Sequence, residues 1–334
     1  MGKARISACL SIESVIISRM ATTTKKRTST AKTRAKKTTT KAATAKSKST
    51  VKKASTKKTA SSKTEKVTKV NKVPRIVDKF KKLNMWNWAM ALLHAAQGVA
   101  VLVLSKSDSL FPVTTNYLTT DTLASAEGSP VLVQAQRNLF DVNLAYIVAA
   151  FFFMSAIAHL IIATVYRSRY EHNLTHGINK ARWYEYGISA STMMIGIAML
   201  SGVSDISILI LIFSGTLVMN LCGLIMEIHN QTTKKTNWIS YTVGTVAGIA
   251  PWIVVGLYLW GSNQYGAGDI PTFVYYIYAS IFVLFSSFAV NMYLQYKGRG
   301  RWSDYLYGER AYMILSLVAK SALAWQIFAG TLRP

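Results

Sequence analysis

The sequence predicts an all-α membrane protein, a bundle of seven transmembrane helices behind a basic tail, and three observations carry that expectation. The first is charge segregation. Residues 1–82 hold 25 Lys/Arg against Glu13, Glu65 and Asp78, net +22, whereas residues 83–334 hold 14 Lys/Arg against 11 acidic residues, net +3. The second is seven apolar segments near 83–105, 142–166, 181–202, 206–228, 238–261, 271–295 and 304–331, each close to the roughly 20 residues that cross a bilayer core. The third is one lysine, Lys320, inside the last of them.

The tail comes first. Thr, Lys, Ala and Ser dominate residues 21–70, a composition without enough apolar content to offset chain entropy, so residues 1–82 are expected to be disordered. Their Lys/Arg spacing suits anionic lipid headgroups or nucleic acid. The apolar patch at 8–18 is interrupted by Glu13, which makes it a poor signal peptide. Met1 and Met20 stand as alternative starts. Cys9 and Cys222 are the only cysteines, which excludes a disulfide scaffold and a cysteine-based metal site.

The spans follow, joined mostly by short loops. The exception is 106–141, where Pro112, Gly128 and Pro130 interrupt two apolar stretches at 110–113 and 131–133, and a small β-hairpin is expected there. Loop charge sets the orientation. The 106–141 loop is acidic on balance, the 203–205 turn carries only Asp205, and the 262–270 loop only Asp269. Arg167, Arg169, Lys180 and Arg182 lie on the 167–182 connection, Lys234 and Lys235 on the next turn of that side, and Lys297, Arg299 and Arg301 on the last. The N-terminus is therefore expected in the cytoplasm and the C-terminus outside.

Lys320 needs a reason. No other charge lies between Arg310 and Arg333, and a mid-bilayer ammonium costs roughly 2.5–3.5 kcal/mol on insertion scales. A buried ion pair or a snorkelling stem would be the plain explanation, but the nearest helix end is about three turns away. A desolvated amine has a specific use there, condensation with an aldehyde to give a Schiff base. Such a cation needs an anion, and Glu185 at the start of the third span is the candidate; the alternative is a carboxylate favoured by the helix dipole. Ser316 lies one turn before Lys320 on the same face, where it bonds either the lysine or its own helix carbonyl. His94 with Gln97 in the first span, and Ser155 with His159 in the second, suggest a polar internal cavity. No third ligand at useful spacing joins the histidines, so no metal site is expected.

These residues resemble the heliorhodopsins, retinal proteins inserted in the opposite sense to other microbial rhodopsins. The likeness is carried by Arg182, Trp183, Glu185, Tyr186, Ser189 and Ser191 in the third span, by Ser316, Lys320, Trp325 and Phe328 in the seventh, and by the pairs His94/Gln97 and Ser155/His159. It spans everything except the tail. The resemblance implies a rhodopsin-like bundle with all-trans retinal on Lys320 as a protonated Schiff base, Glu185 as the sole carboxylate counterion, and Ser316 bonded to the site. It implies a polar cavity with ordered water formed by His94, Gln97, Ser155, His159 and Trp325, with Asn87, Asn179 and Tyr186 in or near that network. Met219, Trp252 and Phe285 are candidates for the retinal-lining wall, with ordinary packing as their alternative. It also implies a homodimer and a hairpin in the first extracellular loop.

Pumping is disfavoured by two positions. An ordinary outward proton pump carries a carboxylate four residues before the lysine and another eleven past the counterion; here these are Ser316 and Gly196. The expected function is a photosensor with a slow cycle and an unknown signalling partner, not an enzyme, since no catalytic domain is expected past residue 334. The alternative is light-gated passive proton or ion transport, with Glu227 and Glu309 as boundary carboxylates that extend a proton route. A non-retinal receptor using the tail as effector is a further alternative.

Overall fold

A computed structural model describes residues 61–106 and 108–334, with the side chains of 61–77, 126 and 127 left aside. The expected disorder of the tail therefore bears mainly on residues 1–60, which lie outside the described residues. Residues 61–82 are helical instead. Helix α1 runs Ser61–Leu104, 44 residues, because a span once nucleated propagates at the cost of one residue per added hydrogen bond. At 1.5 Å per residue it is roughly 66 Å long, about twice a bilayer core. Its apolar part is Asp78–Leu104.

Strands β1 (Leu110–Thr120) and β2 (Leu132–Asn143) then form an antiparallel hairpin. It is longer than the two apolar stretches foretold, because β-branched and aromatic residues continue the ladder outward from Val113 to Thr120. A register irregularity falls between Val113 and Thr114. At that point the hairpin turns toward the bundle, and Thr114 N–H donates to Ser204 O at 2.9 Å.

Strand β2 runs directly into α2 (Leu144–Ala163), whose first turn is capped by the Asn143 side chain accepting from Ala145 N–H at 2.8 Å. The connection after it is not plain loop. It contains α3 (Arg167–Thr175), held by an Arg167–Glu171 pair one turn apart at 2.8 Å and by burial of Tyr170 and Leu174. Helices α4 (Lys180–Leu200), α5 (Ile206–His229), α6 (Ile239–Tyr265), α7 (Thr272–Lys297) and α8 (Tyr305–Ile327) complete the bundle.

Six helices among the described residues are long and apolar enough to cross a membrane. The seventh, α4, falls short because Lys180, Arg182 and Glu185 open it, yet it packs against α2, α5, α6 and α7. The least apolar span thus packs one face among the others and leaves Tyr184 and Ile188 exposed on its outer side. Helix contacts are tight where glycine faces a ring or a thioether: a Cβ on Gly223 would meet Trp183 at 2.4 Å, and one on Gly248 would meet Met219 Sδ at 2.2 Å.

The main apolar core lies toward the hairpin end, built on Phe151, Phe152, Met194, Ile197, Ile277 and Leu323. Toward the α3 end the interior becomes polar. Lys320 sits where the two regimes meet.

Candidate functional site

Helix α8 carries Lys320 and Ser316 on one face, and α4 delivers Glu185 opposite them. Lys320 is 3 % exposed. Its Nζ donates to Ser316 Oγ at 2.8 Å and to Glu185 Oε1 at 3.2 Å. The same carboxylate oxygen accepts from Ser155 Oγ at 2.5 Å and from Ser189 Oγ at 2.8 Å. The anion is therefore gripped from α2, α4 and α8 together, and the Tyr186 ring lies 5.3 Å from the ammonium. A buried charge pair of this kind needs hydrogen bonds beyond the partner ion, and the two serines supply them at Oε1.

On one side of the amine lies a cavity of about 380 Å³. Tyr186, Met193, Met219, Asn220, Phe285 and Phe288 line most of it, with Lys320 and Ser316 in its wall. Met219 is held in place by the close approach of Gly248. Trp252 backs the wall rather than lining it, packing edge-on against Phe285 at 5.6 Å. The chemistry of this cavity fits an elongated apolar aldehyde: aromatic and thioether walls with one reactive amine among them.

The other side is polar. His94 and His159 stack with ring centroids 5.8 Å apart, and His159 Nδ1 lies 2.8 Å from Asn87 Oδ1. Both ring nitrogens of His94 are buried without a hydrogen-bond partner among the described residues. The structure thus brings together Glu185, Ser155, His94, His159 and Asn87. It does not bring Gln97 and Trp325 into that group. They bond one another, Trp325 Nε1 to Gln97 Oε1 at 3.1 Å, at a partly exposed edge of the bundle.

Asn179 lies elsewhere again. It caps α4 by accepting from Arg182 N–H at 3.1 Å, and it donates to Glu309 Oε1 at 2.6 Å. This belongs to a buried charge cluster that loop-charge reasoning misassigned. Arg182, counted above as a cytoplasmic loop charge, is 4 % exposed and bonds both Glu227 and Glu309, which are buried as well. The boundary carboxylates are therefore interior residues. Trp183 Nε1 and Tyr305 OH donate to Glu227 at 2.7 and 3.0 Å, and Tyr170 OH to Glu309 at 3.1 Å. The signal available in sequence was one arginine and two glutamates at matching depth in three spans. A cavity of about 310 Å³, with Asn87, His159, Tyr170 and Asn179 in its wall, lies between Glu185 and this cluster.

Fold and site together define a multi-pass membrane protein of the rhodopsin class, with a buried amine facing an apolar cavity. Residues 83–332 match the heliorhodopsin family model, three quarters of the sequence, and the chain belongs to that family. Membership implies a retinal chromophore and a light-sensing role. No curated protein matches the chain. Among solved structures, the chain is similar to the transmembrane domain of Salpingoeca rosetta rhodopsin phosphodiesterase, with TM-score 0.51 and 18 % identity, covering 78 % of this chain and 88 % of that one. It is also similar to a light-driven proton pump from Leptosphaeria maculans, with TM-score 0.49 and 16 % identity, covering 74 % and 94 %. At such identities the phosphodiesterase domain speaks for the fold alone.

Proposed function

We propose that this chain is a slow photosensor in which Lys320 carries all-trans retinal as a protonated Schiff base and Glu185 is its carboxylate counterion. The observation that carries the proposal is the buried Lys320 amine, bonded to Glu185 and Ser316, at the wall of the apolar cavity. Retinal, when bound, supplies absorption of visible light and a photon-driven displacement of the linked nitrogen. Everything else falls to the protein. Ser155 and Ser189 hold Glu185 as an anion beside that nitrogen, and Ser316 orients it. In a low-dielectric interior a small displacement of one charge changes the pair energy strongly. Glu185 can then accept the proton, and the His94/His159 stack next to it offers imidazole nitrogens to hold it. Ser316 and Gly196 stand where a pump places carboxylates, so the proton has no paired route across the bundle.

The loop charges favour an N-terminus in the cytoplasm and a C-terminus outside. The basic tail would then face anionic lipid or cytoplasmic nucleic acid, and the hairpin would lie outside, where a second copy can pair with it. A signalling partner is left unassigned, and the reading contains no enzymatic step.

One observation favours the alternative of light-gated proton transport: the second cavity between Glu185 and the buried Glu309. Illuminated whole-cell recording separates the two. The sensor reading predicts a photocycle without current, and a photocurrent abolished in Glu185→Gln would replace it with the transport reading.

A further inference from the structure

Glu185 has a third boundary besides the two cavities. Its side chain, 6 % exposed, forms part of the floor of an open groove between α2 and α4 on the outer surface of the bundle. Its walls are almost wholly apolar: Met154, Ile157 and Ile161 from α2, Tyr184 and Ile188 from α4. Ile157, Tyr184 and Ile188 are each at least half exposed. At the α3 end the groove finishes at Lys180 and Tyr166. Lys180 is exposed and makes no ion pair among the described residues.

This is an apolar channel within the bilayer, closed at its interfacial end by a free cation and an aromatic ring. An acyl chain matches the channel, and a headgroup phosphate matches the cation. The Glu185 carboxylate on the groove floor is compensated from within by Lys320, Ser155 and Ser189, so an acyl chain can lie over it without covering an unpaired ion.

We infer that the α2–α4 groove binds one anionic phospholipid, its phosphate on Lys180 and one acyl chain over Glu185, so that lipid charge and occupancy regulate the Lys320–Glu185 pair. The binding claim stands on the groove alone; only the effect on colour rests on the function proposed above. A bound anionic headgroup adds negative charge on the Glu185 side of the pair, and the chain limits water access to the carboxylate.

The test has two arms. In the first, native mass spectrometry on the retinal-free protein counts retained dioleoylphosphatidylglycerol against dioleoylphosphatidylcholine. The expected result is one phosphatidylglycerol held roughly fivefold more tightly, the gain of one basic side chain against an anionic headgroup. Lys180→Gln should remove the preference, and Ile188→Trp or Ile161→Trp, which fill the channel, should remove retention of either lipid. Equal retention of both lipids by the unaltered protein would overturn the inference. So would a phosphatidylglycerol preference that survives Lys180→Gln. Loss through Lys180→Gln with no effect of either tryptophan would mean a headgroup contact without a chain, and would overturn it too. In the second arm, pigment in phosphatidylglycerol and phosphatidylcholine nanodiscs should differ in band position for the unaltered protein and coincide for Lys180→Gln; identical bands in both lipids for the unaltered pigment would overturn the regulatory claim. If no pigment forms, the function proposed above fails while the first arm still decides the lipid site.

Discussion

At the scale of single residues, one carboxylate oxygen does most of the electrostatic work. Glu185 Oε1 meets Lys320, Ser155 and Ser189 within 3.2 Å, so in the proposed pigment a localised, well-held anion would face the ground-state cation. Glu185→Gln removes that charge while keeping the shape of the side chain. The visible band is expected to move to the red, because a neutral partner no longer stabilises the ground-state cation. Visible spectra of the two pigments check it; a blue shift, or an unchanged band, would remove Glu185 from its role. Much of this was legible beforehand. An intramembrane lysine and an intramembrane glutamate are each expensive enough to demand a partner, and the i, i+4 spacing put Ser316 on the lysine's face. Depth was not legible. Arg182 reads as one more basic residue at a span end, and only packing shows that α4 carries it inside to meet Glu227 and Glu309. Likewise Gln97 lies one turn from His94 on α1, yet its side chain turns to Trp325 at the bundle edge.

Among the elements, the hairpin depends on one aspartate. Asp205 caps α5 by accepting from Ser207 and Ile208 N–H at 2.8 and 3.2 Å, and its other oxygen accepts from Asn116 N–H and Nδ2 at 3.1 and 2.9 Å. Burial would raise its pKa, but the backbone N–H groups of Ile208, Ser207 and Asn116 outweigh that and hold the carboxyl below its ordinary value. A carboxylate with a depressed folded-state pKa contributes stability that is complete above its unfolded value, about 3.9, and is lost as pH falls through the folded value. Hydrogen exchange along Thr114–Thr120 is therefore expected to stay slow at neutral pH and to quicken only below about pH 4. Asp205→Ala should quicken it at every pH and cost about 1 kcal/mol through the lost cap. Asp205→Asn should retain the cap and flatten the pH dependence. Quickening that begins near pH 6 would assign the anchor to another group. The sequence suggested a turn and two short apolar stretches here. The strand extensions and the lock onto α5 arise from pairing over 89 residues of separation, which local pattern does not record. The same holds for α3, a nine-residue helix whose only sequence cue is the Arg167/Glu171 spacing.

For the molecule as a whole, polarity is graded along the bundle, from apolar core at the hairpin end to buried ionic cluster at the α3 end. That cluster ties α4, α5 and α8 through Arg182, Glu227 and Glu309, with the Arg182 guanidinium 4.0 Å from the Tyr312 ring centre. Arg182→Met leaves two carboxylates facing each other without a cation, and breaking a buried pair in that way costs about 3–5 kcal/mol. The temperature at which the pigment bleaches is expected to fall well below that of the unaltered protein, with partial recovery in the triple change to Arg182→Met, Glu227→Gln and Glu309→Gln. Unchanged bleaching of Arg182→Met would mean that the cluster does not hold the three helices. The seven-span architecture was readable throughout from apolar segments of the right length, and most helix ends fall within a few residues of their expected places. The start of α1 was not, since charge and low complexity conceal helix propagation from the span behind it.

The central claim is that Lys320 is the attachment point of the chromophore, and one spectrum tests it most directly. The protein and its Lys320→Ala variant are expressed, supplied with all-trans retinal, and measured in the visible before and after hydroxylamine in light. The account predicts a visible band in the unaltered protein, bleached by hydroxylamine to the retinal oxime, and no visible band in Lys320→Ala. A coloured Lys320→Ala protein, or an unaltered protein with no visible band, would contradict it.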